Sequence, residues 1–236
     1  MTFSQTEFDV RLEWGEHGVN LLAPISDVVI IVDVLSFTTS VEIATNRKAI
    51  IYPYRGRLEM AQEFARSVGA ELAQKRGDAK YSLSPRSMLG VPEGIKLVLP
   101  SPNGSTLTLA TGDTPTLAGC LRTARAVAQA AKKYGSRIAL IPAGERWPDG
   151  SLRPSFEDLI GAGAIVHYLG GNCSPEAYAA RSAFLAAERQ LANLLLQCGS
   201  GKELIERGYK DDVSLAAELN VSNCVPTLEN RAYIGK

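Results

Sequence analysis

Residues 28–34 read VVIIVDV, an almost unbroken β-branched run with one carboxylate, Asp33, near its end. A strand with one wet face alternates apolar and polar residues. A run that is apolar throughout has both faces covered and belongs in the interior of a sheet with helices on each side. The surrounding sequence agrees with this. Short β-branched runs at 8–14, 49–53, 95–99 and 138–141, with weaker ones at 71–75 and 116–120, alternate with stretches whose apolar residues recur at three and four. The predicted helices cover 57–68, 122–134, 156–169, 175–198 and 212–219, with Gly199 and Gly201 ending the fourth. The expected fold class is α/β: a layered α/β/α arrangement in which helices cover both faces of a mostly parallel or mixed sheet. No Pro/Gly/Ser-rich linker and no repeat divides residues 1–236, so one compact domain, or two intimately packed halves, is expected.

Twenty-five basic and 25 acidic residues cancel. That balance lacks the electrostatic footprint of a nucleic-acid or membrane-surface binder and points to a small-molecule partner. Cys120, Cys173, Cys198 and Cys224 are far apart, without the paired spacing of zinc or redox motifs, and read as reduced thiols. No stretch approaches the roughly 20 apolar residues of a membrane span, and the opening residues lack a signal-peptide core. A cytoplasmic protein is the expectation, and a homodimer the expected assembly.

In open α/β sheets ligands bind beyond the carboxyl ends of strands. Three such junctions carry polar groups. At the first, Asp33 ends the apolar strand and Ser36, Thr38, Thr39 and Ser40 open the next helix. A carboxylate in a buried run is costly unless a donor or cation compensates it. Asp33 therefore either accepts hydrogen bonds from the hydroxyl-rich turn or holds a divalent cation beside a phosphate seated on the helix N-terminus. The second junction, Pro102-Asn103-Gly104-Ser105, is either a tight Asn-Gly loop or an anion cradle with Asn103, Gly104 and Ser105 as donors. At the third, Glu145 follows a strand-end glycine and is a catalytic or metal-binding candidate. Ser155-x-x-Asp158 has capping-box spacing. Glu157 and Asp158 point about 100° apart on a helix, so one of them faces the site while the other caps or is solvated.

Other chemistries lack their residues. Leu35 stands where a haloacid-dehalogenase phosphatase needs its second Asp, and no G-x-x-x-x-G-K-[ST] loop or G-x-S-x-G elbow is present. Gly199-Ser200-Gly201-Lys202 follows a helix and reads as its terminator, and Gly161-Ala162-Gly163 lies inside a helical pattern and reads as a close-packing site. His17 and His167 are too few for a zinc cluster.

Taken in order, VIIVDVLSFTTSVEIA, SPNGST, IPAGE, FEDLIGAGAIVHYL and GYKDDVSLAAELNVSNCVPTLE cover nearly the whole chain. This set resembles the 2-phosphosulfolactate phosphatase family. The resemblance implies a Mg2+-dependent hydrolase that converts 2-phosphosulfolactate to sulfolactate on the route to coenzyme M. It places function on Asp33, Thr38, Thr39, Asn103, Gly104, Glu145, Glu157 and Asp158, and it matches a recurrent arginine at Arg181. Two departures stand out. Ser36 replaces an arginine common in the family, and the 77–86 segment keeps Ser84-Pro85 but not their usual neighbours. Arg86 and Lys80 are the candidates to restore the missing charge. The competing expectation is a non-catalytic small-anion or sugar-phosphate binding protein on the same fold.

Overall fold

The computed structural model describes residues 3–77 and 80–236; Asp78 and Ala79, within the 77–86 segment, lie outside the described residues. In chain order the strands are β1 (Val10–Leu12), β2 (Val28–Val32), β3 (Ile50–Tyr54), β4 (Glu71–Leu72), β5 (Lys96–Pro100), β6 (Thr116–Gly119), β7 (Ile138–Pro142), β8 (Glu145–Arg146), β9 (Leu152–Arg153), β10 (Pro226–Glu229) and β11 (Ala232–Gly235). The helices are α1 (Gly15–Leu22), α2 (Phe37–Asn46), α3 (Leu58–Ser67), α4 (Pro85–Met88), α5 (Gly104–Ala110), α6 (Ala124–Ala131), α7 (Phe156–Leu169), α8 (Pro175–Ala187), α9 (Leu191–Gln197), α10 (Gly199–Glu206) and α11 (Lys210–Ala216).

The main sheet runs β1-β7-β2-β6-β10-β11-β3-β5-β4. Its first four strands pair in parallel, as do β3, β5 and β4. The β10–β11 hairpin joins the two blocks through antiparallel pairings on both sides. Three antiparallel steps in succession make the blocks run in opposite directions, so the sheet is mixed, as one of the two expected forms.

The β2 run explains the layering. Every residue from Val28 to Val32 is fully buried, each contributing about 1.5–3 kcal/mol relative to exposure. Val28, Ile30 and Val32 pack toward Val127, Ile165 and Phe184 of α6, α7 and α8. Val29 and Ile31 face Val19, Leu22 and Leu107 of α1 and α5 on the other side. A third cluster joins Phe37 and Val41 of α2 to Ile51, Leu97, Leu99 and Tyr233. α2 itself lies across β6, β10, β11 and β3, and all its residues from Phe37 to Thr45 are buried. Among the described residues no helix is long and apolar enough to cross a membrane.

Several elements differ from expectation. The helix expected over 175–198 is broken by a tighter turn at Glu188–Gln190 and ends at Gln197. Gly199 and Gly201 do not terminate it. They form the first turn of α10, and Gly201 is needed there because a Cβ would overlap the Leu195 carbonyl oxygen of α9. The 71–75 strand shrinks to Glu71–Leu72, which lets residues 74–77 turn away from the sheet edge. The expected 122–134 helix contracts to α6 behind a short 3-10 turn at Leu121–Thr123.

The small residues of α7 are used for close approach. Gly161 lies against Val32 and Val34, and a side chain on Gly163 would strike the Ala180 carbonyl of α8. Backbone cannot yield as a flexible side chain can, so Gly163→Ala is expected to destabilise by about 1–3 kcal/mol. A urea midpoint unchanged from wild type would refute that packing role.

Candidate active site

Asp33 immediately follows β2 and is buried, with each carboxylate oxygen held by a main-chain donor. Oδ1 accepts from the Phe37 N–H at 3.2 Å, at the start of α2, and Oδ2 from the Gly104 N–H at 2.9 Å, at the start of α5. Gly104 has to be glycine, since a Cβ there would collide with the Phe37 ring and approach Asp33 itself. Two segments 71 residues apart in the chain thus meet at one carboxylate.

The hydroxyls of the first two junctions turn inward. Thr38 Oγ1 donates to the Asp33 carbonyl at 2.8 Å and accepts from the Asp33 N–H, while Thr39 Oγ1 donates to the Val34 carbonyl. Ser105 Oγ donates to the Leu99 carbonyl at 2.9 Å. These side chains brace the turns around Asp33, and their hydroxyl protons are committed to main-chain carbonyls.

Asp158 supplies a second brace. Its Oδ1 accepts from the Val34 N–H at 2.7 Å, and its Oδ2 from the Gly144 N–H at 2.9 Å and the Ser155 hydroxyl at 2.8 Å. One carboxylate therefore ties α7 to the segments following β2 and β7. This is not the capping box its spacing suggests: the Ser155 hydroxyl gives its proton to Asp158 and caps no helical N–H. Glu157, on the same turn, is also buried, and the Cys198 thiol donates to its Oε2 at 3.4 Å.

Glu145 opens β8, paired with Arg153 of β9 in a ribbon the sequence does not announce. Its Oε2 accepts from the Asn103 side-chain amide at 3.1 Å. Beside that bond lies a cavity of about 400 Å3 whose walls include Trp14, Asn103, Thr106, Glu145, Arg146 and Leu152.

Electrostatics bind these acids into one unit. Burial pushes Asp33 up to about 6; the Phe37 and Gly104 N–H groups resist, Glu157 adds to the rise, and Arg76 opposes it. Burial and the charge of Asp33 push Glu145 up to about 7, with Asn103 and Arg153 opposing and Glu157 adding. Asp158 is raised well above its ordinary value by burial, then by Glu157 and Asp33. Asp33, Glu145 and Asp158 are each made harder to ionise by a neighbouring carboxylate, as expected of a like-charge cluster short of positive charge.

Two of the expected arginines are elsewhere. Arg181 of α8 acts on the thiol of Cys173, a residue whose main chain pairs with Val10 at the start of β1, the opposite end of that block from Asp33. Arg86 is exposed and paired with Asp211. Lys80 sits over the Tyr81 ring at 4.9 Å. The cations that do act on the cluster are Arg76 and Arg153. Arg76 Nη2 donates to Ser36 Oγ at 2.7 Å, so a guanidinium reaches the position where the resemblance led one to expect an arginine. The available signal was the Lys75-Arg76-Gly77 turn at the end of a predicted strand, a fourth junction of the same kind as the three singled out. Nothing comparable marked Arg153, whose placement depends on the β8–β9 ribbon.

Fold and site together define a class: a layered α/β/α protein whose strand ends converge on a buried acidic centre flanked by arginines. A family model described as 2-phosphosulpholactate phosphatase matches residues 19–231, and the chain belongs to that family. It is 32% identical over 209 residues to a probable 2-phosphosulfolactate phosphatase of Carboxydothermus hydrogenoformans, covering 84% of each chain. It is 27% identical over 204 residues to a 2-phosphosulfolactate phosphatase of Methanothermobacter thermautotrophicus, covering 85% of this chain and 86% of that relative.

Proposed function

We propose that the protein is a Mg2+-dependent phosphatase that hydrolyses a small phosphorylated acid, 2-phosphosulfolactate, to sulfolactate and phosphate. The observation that carries this reading is the convergence of four acids, Asp33, Glu145, Glu157 and Asp158, at strand ends, with Asp33 and Glu145 held near neutral pKa for want of compensating charge. The donor set is all oxygen, which suits a hard cation. Among the described residues no three acids, histidines or cysteines close into a ready-made ligand shell. Mg2+ accepts such a site, since it commonly binds through one or two carboxylates and takes its other ligands from water and phosphate.

In this reading Asp33 and Glu157 are the residues that would hold the cation, while Asp158 ties α7 to the ends of β2 and β7. The bound cation would neutralise charge on the phosphoryl oxygens. Asp33 is fixed in orientation by its two main-chain donors, so it meets the reacting group without rearrangement. Glu145 borders the cavity, and at about 7 its Oε can exchange a proton with the departing oxygen near neutral pH. Release of phosphate from 2-phosphosulfolactate under Mg2+, abolished by EDTA, is the expected result. If no phosphorylated acid is turned over while such anions still raise the melting temperature, the protein is an anion-binding member of the family and the catalytic reading falls.

The raised acids also set a pH dependence. Asp33 and Glu145 keep protons in the native state at pH values where the unfolded chain has released them. Native metal-free protein therefore binds more protons than unfolded protein between about pH 4 and 7, and its stability falls as pH rises through that window. Mg2+ is expected to reverse the trend, raising the melting temperature far more at pH 8 than at pH 5. A metal response independent of pH would count against carboxylate ligation.

A further inference from the structure

Among the described residues, β8 and β9 pair with each other and with no strand of the main sheet. The hydrogen bonds at the tip of this ribbon also close within it. The Trp147 N–H donates to the Ser151 carbonyl at 2.9 Å, Arg146 Nη1 to the Gly150 carbonyl at 3.0 Å, and the Ser151 N–H and hydroxyl to Asp149 Oδ1. A unit bonded in this way can move as one piece. Its two feet are held by a single atom: Asp158 Oδ2 accepts from the Gly144 N–H on one side and from the Ser155 hydroxyl on the other. Gly144 has φ +68°, and a Cβ there would meet the Leu152 side chain and the Arg153 carbonyl, so the first foot has to be glycine and can serve as a pivot.

The cavity beside Glu145 lies between the ribbon, which contributes Arg146 and Leu152, and the start of α1, which contributes Trp14 and Glu16. Few contacts close the gap. Leu152 packs over Gly15, where a Cβ would come within 3.3 Å of it, and Arg146 Nη2 donates to Glu16 Oε1 at 2.5 Å. Both charged side chains are about half exposed, and an ion pair in that setting shifts an equilibrium by severalfold at most. The ribbon also carries charge. Glu145 and Arg153 are cross-strand partners. Arg153 Nη2 donates to Ser200 Oγ at 3.1 Å, its one side-chain hydrogen bond among the described residues, and its charge acts on Glu145 and on the Cys198 thiol that bonds Glu157.

We propose that the β8–β9 ribbon is a lid that swings on Gly144 and Ser155, with the Arg146–Glu16 pair as its latch, and that closing it sets Glu145 and Arg153 against the acidic centre. The proposal deepens the phosphatase reading and rests on it for the identity of the ligand. Open, the ribbon admits the ester to the cavity. Closed, it brings Arg153 toward the phosphoryl charge and excludes bulk water, which strengthens the charge interactions inside. A half-exposed latch lets the product leave, whereas a buried pair would hold the lid shut.

Trp14 and Trp147 are the protein's two tryptophans. Trp147→Phe keeps an aromatic ring against Arg153 and leaves the half-buried Trp14, at the cavity, as the reporter. In that background Glu16→Gln and Arg146→Gln, both at exposed positions, are each expected to raise acrylamide quenching of Trp14 about twofold with the melting temperature unchanged. The double variant should go no further than either single one, because both break the same pair. Unchanged quenching in the two single variants, or increases that add in the double, overturn the latch. Mg2+ with inorganic phosphate is expected to lower quenching when the latch is intact, and Arg153→Gln to abolish that decrease. A full decrease in Arg153→Gln removes this arginine from the closing contact. Quenching of the ligand-free protein does not depend on turnover, so if no ester is hydrolysed the phosphatase reading fails and the lid is judged by the latch variants alone. If the ester is hydrolysed and phosphate with Mg2+ leaves quenching unchanged, closure does not serve the site and the proposal falls.

Discussion

Asp33→Asn is expected to lower the rate of phosphate release on the order of 10^3-fold or more while leaving the fold intact. Asparagine keeps the shape of the side chain and one carbonyl oxygen, so one of the two main-chain donors, Phe37 or Gly104, retains its acceptor. The variant loses the negative charge that a cation or a phosphoryl group would meet. Stability should move in the opposite direction. The rise of Asp33 from 3.8 to about 6 is a penalty on the order of 3 kcal/mol on its ionised form. Removing that charge offsets the lost hydrogen bond, so the metal-free variant should melt no lower than wild type at pH 8, and its response to Mg2+ should shrink. Retention of more than a tenth of wild-type activity would remove Asp33 from the chemistry. Phospho-enzyme trapped on Asp33 by rapid quench of the wild type would recast it as the nucleophile.

The second large effect concerns stability. Asp158→Ala strips acceptors from the Val34 and Gly144 N–H groups and from the Ser155 hydroxyl, all at buried positions. Stranding two buried main-chain donors costs on the order of 3 kcal/mol or more. Relief of repulsion from Glu157 and Asp33 returns part of this, so the expected net loss is about 2–4 kcal/mol by urea unfolding. Asp158→Asn should fall between, because its amide keeps one acceptor but presents a donor toward another. A loss under about 0.5 kcal/mol for the alanine variant would show that the strand ends are held together by other contacts.

These expectations show what could be read before the fold was known. The β2 run, the α7 boundaries and the acids at the first and third junctions were legible because local periodicity and the cost of burying charge leave a direct mark on the sequence. The direction of a hydroxyl leaves no such mark. Thr38, Thr39 and Ser105 suit either an anion or a main-chain carbonyl, and only the tertiary arrangement shows the carbonyls accepting from them. The same limit hid Arg76, which reaches Ser36 because β4 is only two residues long and the chain leaves the sheet edge early. Gly199 and Gly201 misled for a related reason: a glycine that ends a helix and one that lets two helices touch look alike in sequence. The β10–β11 hairpin was missed because its strands are short, and Pro226 opens the first of them.

That hairpin governs the order in which the molecule can be completed. β3 and β6 are synthesised long before residues 226–235, yet each takes its pairing partner from them. Until the hairpin emerges from the ribosome, both strands present open hydrogen-bonding edges, the kind of template on which chains associate. Such late, distant pairing also slows folding. Tyr233 makes the dependence local to the site: its hydroxyl bonds Thr108 of α5 at 2.9 Å, and its ring meets Phe37 edge-on with centroids 6.2 Å apart. The two helices whose N–H groups hold Asp33 are thus buttressed by a residue made more than a hundred positions after either begins, and a nascent chain cannot assemble its acidic centre ahead of its sheet.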